Sequence, residues 1–124
     1  MDFDLSPQLE RAIMHSILKY HEGRDNANPR KTMLARLAQL GFHMEDRQMR
    51  MAINLLRKRG NIICSRGGED GGYYLPADWS ELQEFIDHEL HPRAMDFLEQ
   101  ERAMKDAARV KWGEYSPQMQ TRMF

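Results

Sequence analysis

The sequence predicts a mainly α protein with a small β-hairpin, an α+β fold in one domain with helices appended at its C-terminal side. Three observations predict it. Apolar residues recur at three- and four-residue spacing through most of the chain, the repeat of helices that bury one face. Two short β-prone runs, Asn61-Ile62-Ile63-Cys64-Ser65 and Tyr73-Tyr74-Leu75, flank a glycine-rich connection. Cap and breaker residues, from Ser6-Pro7 to Asp78, fall at the ends of these segments rather than inside them.

Ser6-Pro7 combines a side-chain acceptor at the N-cap with a proline at the first helical position, so a helix over residues 7–21 is expected. Leu9, Ile13, Ile17 and Tyr20 would form its core face. Gly23 through Pro29 is polar and breaker-rich, hence a loop. Asn28-Pro29 repeats the cap-plus-proline signal for a second helix with Leu34, Leu37 and Ala38 inward, and Gly41 closes it. After the short Gly41–Met44 turn comes a third helix over 46–59. Met49, Ala52, Ile53 and Leu56 share one face of it, and Arg47, Arg50, Met51, Asn54 and Lys58 the other. Two helices joined by a tight glycine-containing turn, the second with a basic outward face, make a helix-turn-helix arrangement.

Beyond Gly60 the two β-prone runs and the Arg66-Gly67-Gly68-Glu69-Asp70-Gly71-Gly72 connection make a hairpin, or wing. Here the chain resembles winged-helix DNA-binding domains. Leu55-Leu56-Arg57-Lys58-Arg59-Gly60-Asn61-Ile62-Ile63-Cys64-Ser65 followed by Gly72-Tyr73-Tyr74-Leu75 is similar to small winged-helix proteins of bacterial phages and mobile elements. The resemblance spans roughly residues 30–76. It implies a recognition helix at 46–59, a wing at 66–72 and no enzymatic activity. One departure stands out: the wing tip carries Glu69 and Asp70, which phosphates repel, with only Arg66 basic at its base.

Asp78-Trp79-Ser80-Glu81 has the form of a capping box, and Trp79, Leu82, Phe85, Ile86 and Leu90 give the following helix an apolar stripe. Pro92 is expected to interrupt it and to start a last helix running to Trp112. The apolar residues of that helix are not clearly sided. It either pairs with a second copy, giving a homodimer through residues 92–112, or packs back on its own core. The expected organisation is a winged-helix domain over 1–77, C-terminal helices over 78–113 and a tail over 114–124. The tail ends Gln120-Thr121-Arg122-Met123-Phe124, which resembles the peptides by which bacterial replication and repair proteins bind the sliding clamp. The resemblance implies Gln120, Met123 and Phe124 as protein-binding residues; an ordinary frayed terminus is the other reading.

Composition narrows the function classes. A net charge of −1 argues against a protein that coats nucleic acid without selectivity. Residues 45–77 carry six Lys/Arg against four Asp/Glu, and 78–124 carry six against ten, so positive charge collects around the third helix. The acidic start Met1-Asp2-Phe3-Asp4 does not resemble a secretory leader, no apolar run suits a membrane span, and a single cysteine suits a reducing compartment. A cytoplasmic location is expected. Cys64 has β-prone neighbours and no nearby histidine, so a buried small residue is expected rather than a nucleophile. His88 and His91 lack a ligand cluster, no phosphate loop is present, and no cofactor, metal or catalytic constellation is expected.

The leading expectation is therefore a non-enzymatic protein that binds double-stranded DNA in transcription control or replication. Arg47, Gln48, Arg50 and Asn54 would meet base edges and phosphates, Lys58 and Arg66 the backbone, and Arg30 and Lys31 a neighbouring phosphate. The alternative is a protein-interaction module, such as an inhibitor of a host nuclease or a replisome or sliding-clamp adaptor.

Overall fold

Ser6 opens the first helix as its sequence requires: the hydroxyl accepts from the Leu9 N–H at 3.0 Å, and Pro7 fills the first turn. In the computed structural model, which describes residues 4–68 and 71–116, this helix changes pitch twice. Helix α1, Pro7–Arg11, widens into a π-helical stretch over Ala12–Ile17 and tightens into a 3₁₀ turn over Leu18–Tyr20. The change of pitch alters which residues share a face. Leu9, Ile13 and Ile17 are buried as expected, but Leu18 joins them, and Tyr20, expected in the core, is 67% exposed.

The Asn28-Pro29 pair is a strand, β1 (Asn28–Pro29), where a helix cap was expected. Asn28 is buried, and helix α2 (Arg30–Gln39) starts after it with no side-chain cap at all. Helix α2 buries Met33 and Leu37, and Gly41 closes the turn just past its C-terminal end. With φ of 95°, Gly41 allows the Phe42 N–H to reach back to the Leu37 carbonyl at 2.8 Å. Helix α3 (Asp46–Lys58) follows, with a capping box between Glu45 and Gln48. Gly60, φ 98°, closes it in the same manner as Gly41 closes α2.

Strands β2 (Cys64–Arg66) and β3 (Gly72–Tyr74) pair antiparallel, Cys64 opposite Tyr74 and Arg66 opposite Gly72. Strand β1 pairs with the far edge of β3, so the expected hairpin is a three-stranded antiparallel sheet in the order β1-β3-β2. All four strand ends differ from expectation, and Leu75 falls beyond β3, in an isolated bridge to Glu22. Asn61–Ile63 belongs to the turn after α3, because the Asn61 N–H and side-chain amide both bond the Leu56 carbonyl at 3.0 Å. Arg66 and Gly72, expected in the loop, lie in the strands. Gly72 is there by necessity: a Cβ at that position would run into the Asn28 backbone carbonyl of β1.

The sheet separates two cores by its period of two. Ile63 and Tyr73 join the main cluster with Leu9, Ile13, Met33, Leu37 and the four inward residues of α3, Met49, Ala52, Ile53 and Leu56. Cys64 and Tyr74 point to the other side, where Phe85 covers them. Phe85 comes from helix α4 (Trp79–Phe85), capped by Asp78, which accepts from the Glu81 N–H at 2.9 Å. Trp79, expected on the apolar stripe of α4, is 74% exposed, and Leu90 is exposed as well, since the second core takes only Phe85 and part of Leu82.

The helix expected from Pro92 to Trp112 is present, but no break in the helical path precedes it. A π turn over Ile86–Leu90 follows α4 directly, and helix α5 (His91–Trp112) follows that, with Pro92 in its first turn. In a regular helix a proline ring strikes the carbonyl one turn back and leaves it without a donor; the altered pitch just before Pro92 accommodates the ring. The chain divides into two units after Ile86, so α4 belongs with the sheet and α5 with the second unit, Asp87–Phe124. None of the side chains of α5 is buried. Its polar residues pair along the helix instead: Lys105 with Glu101 at 2.9 Å, Gln100 with Asp96 at 2.8 Å, and Arg109 with Asp106 at 2.9 Å. No helix among the described residues is long and apolar enough to cross a membrane.

Candidate nucleic-acid interface

Helix α3 is held at both ends and along one side, and this fixes which way its other side faces. Its four inward residues are each 1% exposed or less. At its C-terminal end, Arg59 meets Glu10 of α1 at 3.4 Å. Arg57, given no role by sequence reasoning, ties α3 to the sheet. Its Nε donates to the Ile63 carbonyl at 2.7 Å and an Nη to the Ser65 hydroxyl at 3.3 Å, while the guanidinium lies 5.3 Å from the centre of the Phe85 ring. One arginine thus serves both cores.

The opposite face carries Arg47, Arg50, Asn54 and Lys58, all exposed. Arg47, Asn54 and Lys58 make no hydrogen bond or ion pair among the described residues. Arg50 does. Its Nε and an Nη both donate to Asp46 Oδ2, at 2.8 and 2.6 Å, one helical turn earlier. The hydrogen bond and then the charge of Asp46 push the Arg50 pKa further up. The other oxygen of Asp46 lies 3.9 Å from Arg30 Nε in the first turn of α2. A single carboxylate therefore gathers two of the arginines expected to meet DNA. Gln48 is engaged too: its side-chain oxygen accepts from the Glu45 N–H at 2.9 Å, which leaves its amide nitrogen as the group available to a ligand. Lys31, beside Arg30, is exposed and unpaired among the described residues.

Tyr73 sits under this charged group. Burial raises its phenol pKa, and the neighbouring charges that act on it include Arg57, Asp46, Arg30 and Arg50. Sequence reasoning placed Tyr73 in a strand without linking it to the basic surface. The strand period gave the only signal, since it sets Tyr73 and Tyr74 on opposite sides of the sheet. Arg66 stands apart from the rest: it is half-buried in β2, and its Nε is buried without a hydrogen-bond partner among the described residues. The structure thus collects Arg30, Lys31, Arg47, Gln48, Arg50, Asn54 and Lys58 on α2 and α3. Glu69 and Asp70 of the loop tip, and Gln120, Met123 and Phe124 of the tail, lie outside the described residues.

Cys64 is fully buried, and burial pushes its thiol up to about 11, so it remains a neutral thiol near pH 7. Among the described residues no three His, Cys, Asp or Glu side chains are placed to hold a metal ion. Comparison with protein-family models, with curated proteins and with solved structures gave no match in any of the three.

Proposed function

We propose that the Met1–Ile86 unit is a winged-helix, non-enzymatic module that binds double-stranded DNA, of the type found in phages and mobile elements, acting in transcription control or replication. The helix–strand–helix–helix–strand–strand order from α1 to β3 supports the winged-helix reading. The observation that carries the function is the outward stripe of α3. Arg47, Asn54 and Lys58 stand exposed, and unpaired among the described residues, opposite a fully buried face, a donor and acceptor set suited to guanine, adenine and phosphate. Arg30 and Lys31 flank it at the start of α2, a helix end with no side-chain cap and so with N–H groups suited to phosphate. In this reading Asp46 orients the Arg50 guanidinium before DNA arrives.

The test is selection of bound sites from a random duplex pool, followed by titration of variants against the selected site. Arg50→Ala and Asn54→Ala should each weaken binding about ten- to a hundredfold and relax sequence preference, whereas Lys58→Ala should weaken all sequences alike. Asp46→Asn separates orientation from plain charge. It should raise affinity for unrelated sequences and lower preference for the selected one, because two arginines are released. If the Arg50 and Asn54 variants bind like the parent, α3 is not the reading helix.

A protein-interaction module is the second reading, and the same Asp46 favours it: a carboxylate at the centre of the patch reduces its attraction for phosphate. Affinity capture with and without nuclease treatment tells the two apart. Nuclease-resistant recovery of one protein supports the second reading, and nuclease-sensitive recovery the first.

A further inference from the structure

We propose that α5 pairs with α5 of a second copy of this chain, antiparallel, about a two-fold axis beside residue 103. Helix α5 spans 22 residues and buries none of them, while Met95, Phe97, Leu98, Met104, Val110 and Trp112 are exposed. These apolar residues do not form one stripe, but a narrower pattern runs through them. Ala94, Leu98, Glu101, Lys105, Ala108 and Trp112 recur at alternating spacings of four and three, the repeat of a coiled-coil seam.

The seam complements itself when reversed. Positions 94 and 112, 98 and 108, and 101 and 105 are each symmetric about residue 103. An antiparallel pair therefore sets Ala94 against Trp112 of the second copy, Leu98 against its Ala108, and Glu101 against its Lys105. Each large side chain meets a small one, and each charge meets its opposite. The Glu101–Lys105 contact that already exists within one helix, 2.9 Å, becomes half of a four-membered charge network. Met104, on one shoulder of the seam, meets its own copy near the axis. Arg102, on the other shoulder, also meets its copy, but at the solvated rim, where long side chains diverge at little cost. Parallel pairing gives the opposite outcome: Glu101 on Glu101, Lys105 on Lys105 and Trp112 on Trp112. The charge pattern thus selects both a second copy as occupant and one direction of pairing.

The association is independent of DNA binding and is read directly as oligomeric state. Sedimentation of the full chain should show a monomer–dimer equilibrium in the micromolar range. Glu101→Lys and Lys105→Glu should each shift the midpoint at least about tenfold, because each places like charges at both crossing points. Mixing the two variants should restore dimers, since every crossing pair is then opposite in sign. Loss of the internal helix pair, which both variants share, cannot produce that recovery. Direction is read by oxidation: Glu101→Cys protein mixed with Lys105→Cys protein should form the mixed disulfide in excess over either homodisulfide, with the buried Cys64 alkylated on unfolding. A chain that stays monomeric to high micromolar concentration overturns the proposal. So does a mixture that associates no better than its components, and so does a predominance of homodisulfides.

Discussion

Helices α3 and α5 are the two longest in the described residues, both rich in charge and in methionine, and they use their apolar residues in opposite ways. Helix α3 buries Met49, Ala52, Ile53 and Leu56 completely, while α5 buries nothing. Apolar content does not separate them. In α3 the apolar residues other than Met51 share one stripe at the helical repeat; in α5 they are spread around the helix, with Met104 on the side opposite Met95. Siding decides burial. It also decides what holds each helix: tertiary packing and two glycine-assisted turns for α3, and a series of charge pairs along its own length for α5.

The largest effect should come from breaking the buried stripe. Leu56→Ala removes a fully buried side chain touching the main core and should cost about 2–5 kcal/mol. Val110→Ala, at a position 90% exposed, should change stability by no more than about 0.5 kcal/mol. Urea unfolding of the two variants measures the contrast, and comparable effects would abolish it. Gly72→Ala comes next. A methyl group there meets the Asn28 carbonyl, so β1 must shift away from β3, at about 1–3 kcal/mol. Gly67→Ala, where nothing stands within 4 Å, is the control.

The second core has its own signature at high pH. Burial pushes the Cys64 thiol from 9.0 to about 11 and the Tyr74 phenol from 10.0 to about 12. Both folded-state values are raised, so the folded chain keeps protons that the unfolded chain loses. Stability is therefore whole below about pH 9 and falls as pH rises toward 12. Cys64→Ala should remove the lower part of that fall, as read by urea midpoints across the range. A flat profile from pH 9 to 11 in the parent would contradict the burial of the thiol.

Much of the first unit was legible in the sequence because its signals are local. Ser6-Pro7, Gly41, Gly60 and Asp78 mark ends that the chain respects, and the inward residues of α3 follow from spacing alone. What sequence reasoning missed depends on contacts far along the chain. Asn28-Pro29 has the local form of a helix cap, yet β3, more than forty residues on, recruits it as a strand. Gly72 looks like loop composition until β1 lies across it. The face of α1 was misjudged at Tyr20 because no local signal announces a π-helical stretch. At the candidate interface the residue types were legible, but the hold of Asp46 on Arg30 and Arg50 was only half so. The Asp46–Arg50 spacing of four is a helix pair visible in the sequence, whereas Arg30 reaches Asp46 only through the turn between α2 and α3.

The smallest effect belongs to α5 and lies at the other end of the pH scale. The hydrogen bond from Lys105, and then its charge, lowers the Glu101 carboxyl pKa below its ordinary value. A lowered carboxylate contributes stability that is present above the unfolded pKa and is lost as pH falls through the folded one. Helical signal from α5 should therefore decline slightly on acidification through the lower carboxylate range, with the unit holding the sheet still folded. Glu101 is exposed to solvent, so added salt should weaken the same contribution at neutral pH, which burial-based stability does not show. Backbone NMR shifts of residues 100–106, followed against pH at low and high salt in dilute protein, isolate it from any pairing between copies. Lys105→Gln should remove both the pH response and the salt response at these residues. If the responses persist in that variant, the ion pair is not what supports this part of α5.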